Sequence, residues 1–520
     1  MNDFLYSIRF NLTSSKKLPA CYFSLIFQSN FNNMNPLLVF GVIAAYFLLL
    51  ILIGYLTSRK SDSLTFYTGN RESPWYLVAF GMVGASLSGV TFISVPGEVG
   101  NTNWAYLQFV MGNMVGYAVI ALVLIPLFYR MNLISIYEYL KERFGPRTYV
   151  SGSLIFLVSQ TIGASFRLFL AAAVLQIAFF DAFGIPFYVS VFTTVLLIWL
   201  YTFKGGIKTV VWTDTLQTAF LLLAVFTSIM IISDHLNLSG TEMFNLVTES
   251  DLSDVFVWDG LSSQNFFKMF IAGIFITIAM NGLDQNIMQK NLTCKNQKEA
   301  QKNIFWFSIS FFISTLFFLA LGVLIYHYAF QNNIAIPAAS DELYPLLALN
   351  HFGTFAGIVF MIGIIAAAFS SADSALTALT TSFCIDILNL PDKKEVNQER
   401  VRLGVHIMFS FIMFATIVLF DQINNKSVVS AVFKAAGFTY GPLLGLYVFG
   451  LSNKLSIRDK WVPAICILSP IASFVLDRNS ASWLGGYQFG FEILLINAAF
   501  TFLGLMIAIK RRDQSSSQTH

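Results

Sequence analysis

The sequence predicts an all-α integral membrane protein of about thirteen transmembrane helices, arranged as two inverted five-helix repeats with broken helices. Charged residues make up 11% of the 520-residue chain, less than half of the roughly 25% usual in a soluble domain. The mean hydropathy is +0.68. Thirteen apolar runs are long enough to cross a hydrocarbon core of roughly 30 Å. Two of those runs are interrupted by glycine and polar residues at matching places in the two halves of the chain.

The first run lies near residues 37–57. The next five, near 76–97, 104–128, 150–180, 184–203 and 212–232, form the first repeat of about 76–232. Runs near 266–289, 303–329, 354–382, 402–420 and 428–450 form the second repeat of about 266–450. Two more follow, near 459–476 and 486–509. Five is an odd number, so the repeats enter the membrane from opposite sides. The second run reads YLVAFGMVGASLSGVTFISVPGEVG, with Gly81, Gly84, Ser86, Ser88, Gly89 and Pro96 crowded into it. The seventh reads MFIAGIFITIAMNGLDQNIMQ, with Gly273, Asn281, Gly282 and Asp284. Glycine admits non-helical angles, and unwound backbone at membrane depth is tolerated only where protein or a cavity surrounds it. Paired interruptions of this kind point to the binding site of a secondary transporter.

Lysine and arginine set the orientation. Loops after the odd-numbered runs, with the C-terminal end, hold twenty-three of them, Lys290 among these; the opposite side holds only Lys268, Lys426 and Arg478. The C-terminal tail, residues 513–520, is therefore expected in the cytoplasm and the start of the helical domain outside. Residues 1–33 carry Arg9, Lys16 and Lys17 and no clean signal-peptide pattern. Met34 leads straight into the first run, so either the native start is Met34 or residues 1–33 are a short amphipathic or disordered extension; no function is expected there, and the transporter domain is expected to span 34–512.

Four cysteines, Cys21, Cys294, Cys384 and Cys466, are scattered without metal or disulfide spacing. The five histidines form no cluster. No phosphate loop, zinc motif or nucleophile elbow is present. The chain is therefore not expected to be an enzyme, and transport would draw on an ion gradient. No nucleic-acid partner is expected, and the protein is expected to be a monomer.

The stretch GIIAAAFSSADSALTALTTSFCID, Gly363 to Asp386, places Ser370, Ser371, Asp373, Ser374 and Thr377 inside an apolar helix. Buried polar groups at that depth line a bundle interior or an ion path. Ala367, Ser370, Ser371 and Ser374 share one helical face. Close packing of small residues would account for the alanines but not for Asp373. Hydroxyls beside a carboxylate suit a hard, weakly held cation such as sodium. Arg167, in ASFRLFLAAAVLQ, lies well inside the fourth run and demands a partner; Asp284 and Asp373 are the nearest intramembrane acids in kind. Lys434 in the eleventh run is a second intramembrane cation without an assigned role.

Three segments resemble the sodium/solute symporter family, which includes bacterial galactose, proline and sialic acid symporters. They are the AAxxSS core of Ala366 to Ser371, the double-glycine stretch from Tyr201 through Gly205-Gly206 to Asp214, and Glu299-Ala300-Gln301-Lys302 in the loop after the seventh run. The double-glycine stretch departs from the family pattern at Ile207 and Thr209. With the topology, the resemblance covers residues 37–510 and implies a LeuT-type inverted-repeat fold. It implies a sodium site built from the backbone carbonyls of Gly84, Leu87 and Ala367 and the hydroxyls of Ser370 and Ser371. In the sialic acid branch it implies a second sodium position at Asp214, Ser370, Asp373 and Ser374. A rival reading makes Asp214 a solvated cap where the sixth helix begins. Substrate contacts carried over are Ser86, Ser88, Thr91 and Arg167, where a planar guanidinium fork fits a carboxylate; Gln108 and Asn281 add hydrogen bonds. Phe311 and Thr277 stand where the galactose symporter has a lysine and an asparagine. The expectation is an inner-membrane sodium symporter importing a small polar solute, a carboxylate such as sialic acid. A neutral sugar or polyol importer and a non-transporting sensor of the same fold are the alternatives.

Overall fold

The computed structural model describes residues 36–510 apart from 60–61, 261, 338, 394–396, 424–427 and 488. The expected extension at 1–33, the tail at 513–520 and Lys426 lie outside the described residues, as does the side chain of Lys434.

Every expected run is a helix. They are α1 (Pro36–Ser58), α2 (Trp75–Ser86 and Gly89–Thr102), α3 (Tyr106–Arg130), α4 (Pro146–Leu175), α5 (Phe187–Thr202) and α6 (Ile207–His235). These are followed by α7 (Phe266–Gly282 and Gln285–Leu292), α8 (Gln297–Gln331), α9 (Gly353–Ile387) and α10 (Gln398–Ile423). Then come α11 (Val428–Ser452), α12 (Asp459–Trp483) and α13 (Ile493–Ile507). No strand occurs among the described residues. The two interrupted runs are the two bent helices: α2 turns by 62° and α7 by 67°. The second half of each is called α2b and α7b, the first α2a and α7a.

Local chemistry explains the ends. Asn265 caps α7a by accepting from the backbone N–H groups of Phe267 and Lys268, and Asp284 caps α7b by accepting from that of Asn286. Asn296 accepts from the Glu299 N–H at 3.0 Å and starts α8 six residues before the apolar run begins. The Glu299–Lys302 segment, expected in a loop, therefore lies in the first two turns of a helix; Gln301 reaches across to the Ala121 carbonyl of α3 at 2.9 Å. Gly206 sits at φ +53°, and a Cβ there would lie 2.4 Å from the Phe66 ring, so the double-glycine turn between α5 and α6 needs glycine.

α6 and α9 pack along each other at the centre, with α2a against both and α7a beside α3. The outer surface carries Leu48, Leu122, Phe192, Leu223, Phe411 and Ile467, all exposed, as a lipid-facing belt requires. α5 is short, at 16 residues, and its Tyr188, Phe192, Leu196 and Leu200 recur every four residues on the exposed side.

Candidate ion and substrate site

The α2 break is where helix ends meet the middle of α9. The last carbonyls of a helix lack intrahelical donors, and α2a ends at Ser86 with Leu87 at φ −82°, ψ 68°. Ser371 on α9 donates to one of these carbonyls, that of Ala85, at 3.1 Å, and its own Ala367 carbonyl lies 3.4 Å away. Gly84 is held by α6: its N–H donates to the Thr218 hydroxyl at 3.0 Å, and that hydroxyl donates to Gly81 O at 3.2 Å. The break thus brings Gly84, Leu87, Ala367, Ser370 and Ser371 into one neighbourhood, with Leu87, Ala367 and both serines buried. Hydroxyl and carbonyl oxygens of this kind suit a monovalent cation.

One turn deeper along α9 lies a charged cluster. Asp214 is not a solvated cap, because α6 begins at Ile207 and carries Asp214 two turns inside, 1% exposed. Ser370 donates to Asp214 Oδ1 at 2.6 Å and Ser374 to Oδ2 at 3.3 Å. Ser374 also lies 3.2 Å from Asp373 Oδ1, while Tyr201 and Thr213 donate to Asp373 Oδ2 at 3.0 and 3.3 Å. The Tyr201–Asp214 stretch thereby delivers Tyr201, Thr213 and Asp214 to one place. Sequence reasoning missed the cation: Lys290, counted in a loop, lies in α7b, is 1% exposed, and places Nζ 2.6 Å from Asp214 Oδ2. The turn at the α7 break folds residues 285–292 back into the protein, where all eight are buried.

Ser86, Ser88 and Thr91 from α2, Arg167 and Gln160 from α4, Thr277, Asn281 and Asp284 from α7, Phe311 from α8 and Tyr440 from α11 line one cavity. A five-residue π segment, Ile278–Gly282, precedes the α7 break and carries Asn281; such segments recur at functional sites. Arg167 makes no hydrogen bond to a described side chain. Asp284 lines the same cavity and accepts from the Tyr440 hydroxyl. Tyr440, which nothing in the sequence singled out, also contacts Gln160 Oε1 at 3.3 Å. Gln108 does not join this cavity. It is fully buried and its amide is spent on backbone, donating to the Ala105 and Gln264 carbonyls at 3.2 and 3.0 Å and accepting from Val257 N–H at 3.2 Å. It pins the start of α3 to the loop before α7, outside the cavity in which a substrate contact was expected of it.

A profile of the sodium:solute symporter family matches residues 66–454. The chain belongs to that family. Over 474 residues it is 24% identical to the sodium/sialic acid symporter NanT of Aliivibrio fischeri, covering 89% of this chain and 90% of that one. It is 24% identical over 402 residues to sodium-coupled monocarboxylate transporter 2 of Mus musculus, covering 76% of this chain and 64% of that longer protein. The solved structure of a sodium-coupled sialic acid symporter, substrate-bound, outward-open and described with a novel sodium site, matches with a TM-score of 0.76 at 22% identity, over 91% of this chain and 98% of the other. This family member therefore has the expected LeuT-type fold of a multi-pass membrane transporter.

Proposed function

We propose that the protein is a sodium-coupled importer of a small carboxylate solute, of the kind that sialic acid represents. The observation that carries the reading is Arg167: a guanidinium without a hydrogen-bonded side-chain partner among the described residues, set in a cavity walled by Ser86, Ser88 and Thr91 of the α2 break. A guanidinium keeps its charge at any physiological pH, and a substrate carboxylate would complete its fork. Relatives that carry sialic acid and monocarboxylates support this choice of class.

In this reading sodium binds between the α2 carbonyls of Gly84 and Leu87 and the α9 oxygens of Ala367, Ser370 and Ser371, and Asp214, Ser370, Asp373 and Ser374 form the second cation position. Sodium holds the broken helices in an outward-open arrangement; solute closes the outer gate; rocking of the helix groups then opens the site inward. Each charge moved inward gains about 2.3 kcal/mol per 100 mV. The repeats span about 76–232 and 266–450, the protein works as a monomer in the inner membrane with its C-terminus cytoplasmic, and it performs no enzymatic step and binds no nucleic acid. Burial of Lys290 leaves the lopsided charge distribution behind that orientation intact.

The test is thermal stabilisation of the purified protein by sialic acid, lactate and a neutral hexose, in sodium and in choline. Stabilisation by a carboxylate solute that requires sodium supports the proposal; stabilisation by the hexose alone favours a second reading. That second reading has an observation of its own: Arg167 and Asp284 line the same cavity, and a pairing of the two would make Arg167 structural and the solute a neutral sugar or polyol.

A further inference from the structure

Lys290 lines no part of the cavity, and its ammonium has no partner besides Asp214 among the described residues. It lies on α7b, which packs against α9, α2a and α6, and Asp214 receives it within the oxygen set that the resemblance assigns to a second sodium ion. Ser370 and Ser374 already occupy Asp214 Oδ1 and Oδ2, and the ammonium approaches Oδ2 at 2.6 Å. An ammonium carries the same charge as sodium and accepts the same oxygen neighbours. Because both members of the pair are 1% exposed, neither has water to fall back on when separated. The formal charges point the same way. Lys290 balances Asp214 within the pair; without Lys290 that carboxylate is left to a second ion.

We propose that the Lys290 ammonium is a tethered substitute for the second sodium ion, so that this symporter binds and couples a single sodium. The inference rests on the sodium-symport reading. For a monoanionic solute, one sodium makes the cycle electroneutral, so uptake into proteoliposomes does not respond to membrane potential.

The experiment is equilibrium binding of ²²Na⁺ to the purified full-length protein with no solute present. The parent is expected to bind one ion per chain without cooperativity. Lys290→Gln, which uncovers Asp214, is expected to bind two, and the double variant Asp214→Asn/Lys290→Gln, which removes both charges, to return to one. Two ions in the parent, or one in a folded Lys290→Gln, overturns the proposal while leaving sodium coupling in place. No sodium bound by the parent sinks the sodium reading and this inference together. If Lys290→Gln cannot be recovered folded, the parent decides: one ion supports the substitution and two ions overturn it.

Discussion

The hydroxyl of Ser371 on α9 meets the Ala85 carbonyl of the α2 break at 3.1 Å, so the one unwound segment of the first repeat and the hydroxyl face of α9 form a single polar seam. Ser371→Ala removes an oxygen from that seam without changing helix packing. The expected result is a rise in the sodium concentration for half-maximal uptake of about tenfold, equivalent to about 1.4 kcal/mol, with the thermal unfolding profile retained. Unchanged sodium dependence in the double variant Ser370→Ala/Ser371→Ala would remove these serines from ion binding.

Arg167→Lys keeps a positive charge in the cavity and loses the planar fork. Charge-assisted hydrogen bonds contribute about 1.5–3 kcal/mol, so carboxylate binding should weaken roughly ten- to hundredfold, while sodium binding in the same preparation is unaffected. Sodium-dependent thermal stabilisation by sialic acid measures the first and ²²Na⁺ binding the second. Equal affinity in Arg167→Lys and Arg167→Ala would turn the case toward a neutral solute.

Gly84 permits α2a to touch α6. A Cβ at this position would lie 2.3 Å from Thr218 Oγ1 and 3.1 Å from Thr218 Cα, and the second of these is backbone that cannot swing aside. Gly84→Ala should destabilise by about 1–3 kcal/mol, the usual cost of overpacking. Thr218→Ala in the same chain should recover part of the loss. Unfolding midpoints in one detergent provide the comparison.

Glu138 supplies a pH dependence outside the spanning helices. It begins the short helix Glu138–Arg143 between α3 and α4; burial, and then the nearby Asp386 carboxylate, push its carboxyl from 4.5 up to about 7. The folded state thus holds this proton more tightly than the unfolded state. Its contribution to stability is present below the unfolded value and is lost as pH rises from about 4.5 through about 7. Glu138→Gln should flatten stability across that interval and raise the unfolding midpoint at pH 8 by a few degrees. A variant that tracks the parent at every pH would show that Glu138 is solvated in the folded protein.

The helices were legible because the bilayer imposes them: each run is long and apolar, and glycine, serine and proline mark where two of them bend. The Ser370/Ser371 face was legible for the same reason, since hydroxyls in an apolar run need a purpose. Lys290 was hidden by its neighbours. It follows an apolar run and precedes Lys295, Lys298 and Lys302, which is the pattern of a cytoplasmic loop, and only the bend at Leu283 turns it inward. Asp214 was left between an ion ligand and a solvated cap, because the turn at Gly205-Gly206 starts α6 five residues before its apolar stretch. Gln108 has the chemistry of a ligand-binding residue, and only the tertiary contacts of Val257 and Gln264 show that backbone has claimed it.

The shortness of α5 has a consequence for the surrounding lipid. Its 16 residues rise about 24 Å at 1.5 Å each, several ångström less than an average hydrocarbon core. The exposed row of Tyr188, Phe192, Leu196 and Leu200 faces that mismatch directly. Acyl chains beside α5 must shorten or tilt to meet it, while those beside the 35-residue α8 need not. The protein thus presents an uneven waist to the bilayer, and membrane thickness becomes a physical variable acting on one flank of the molecule.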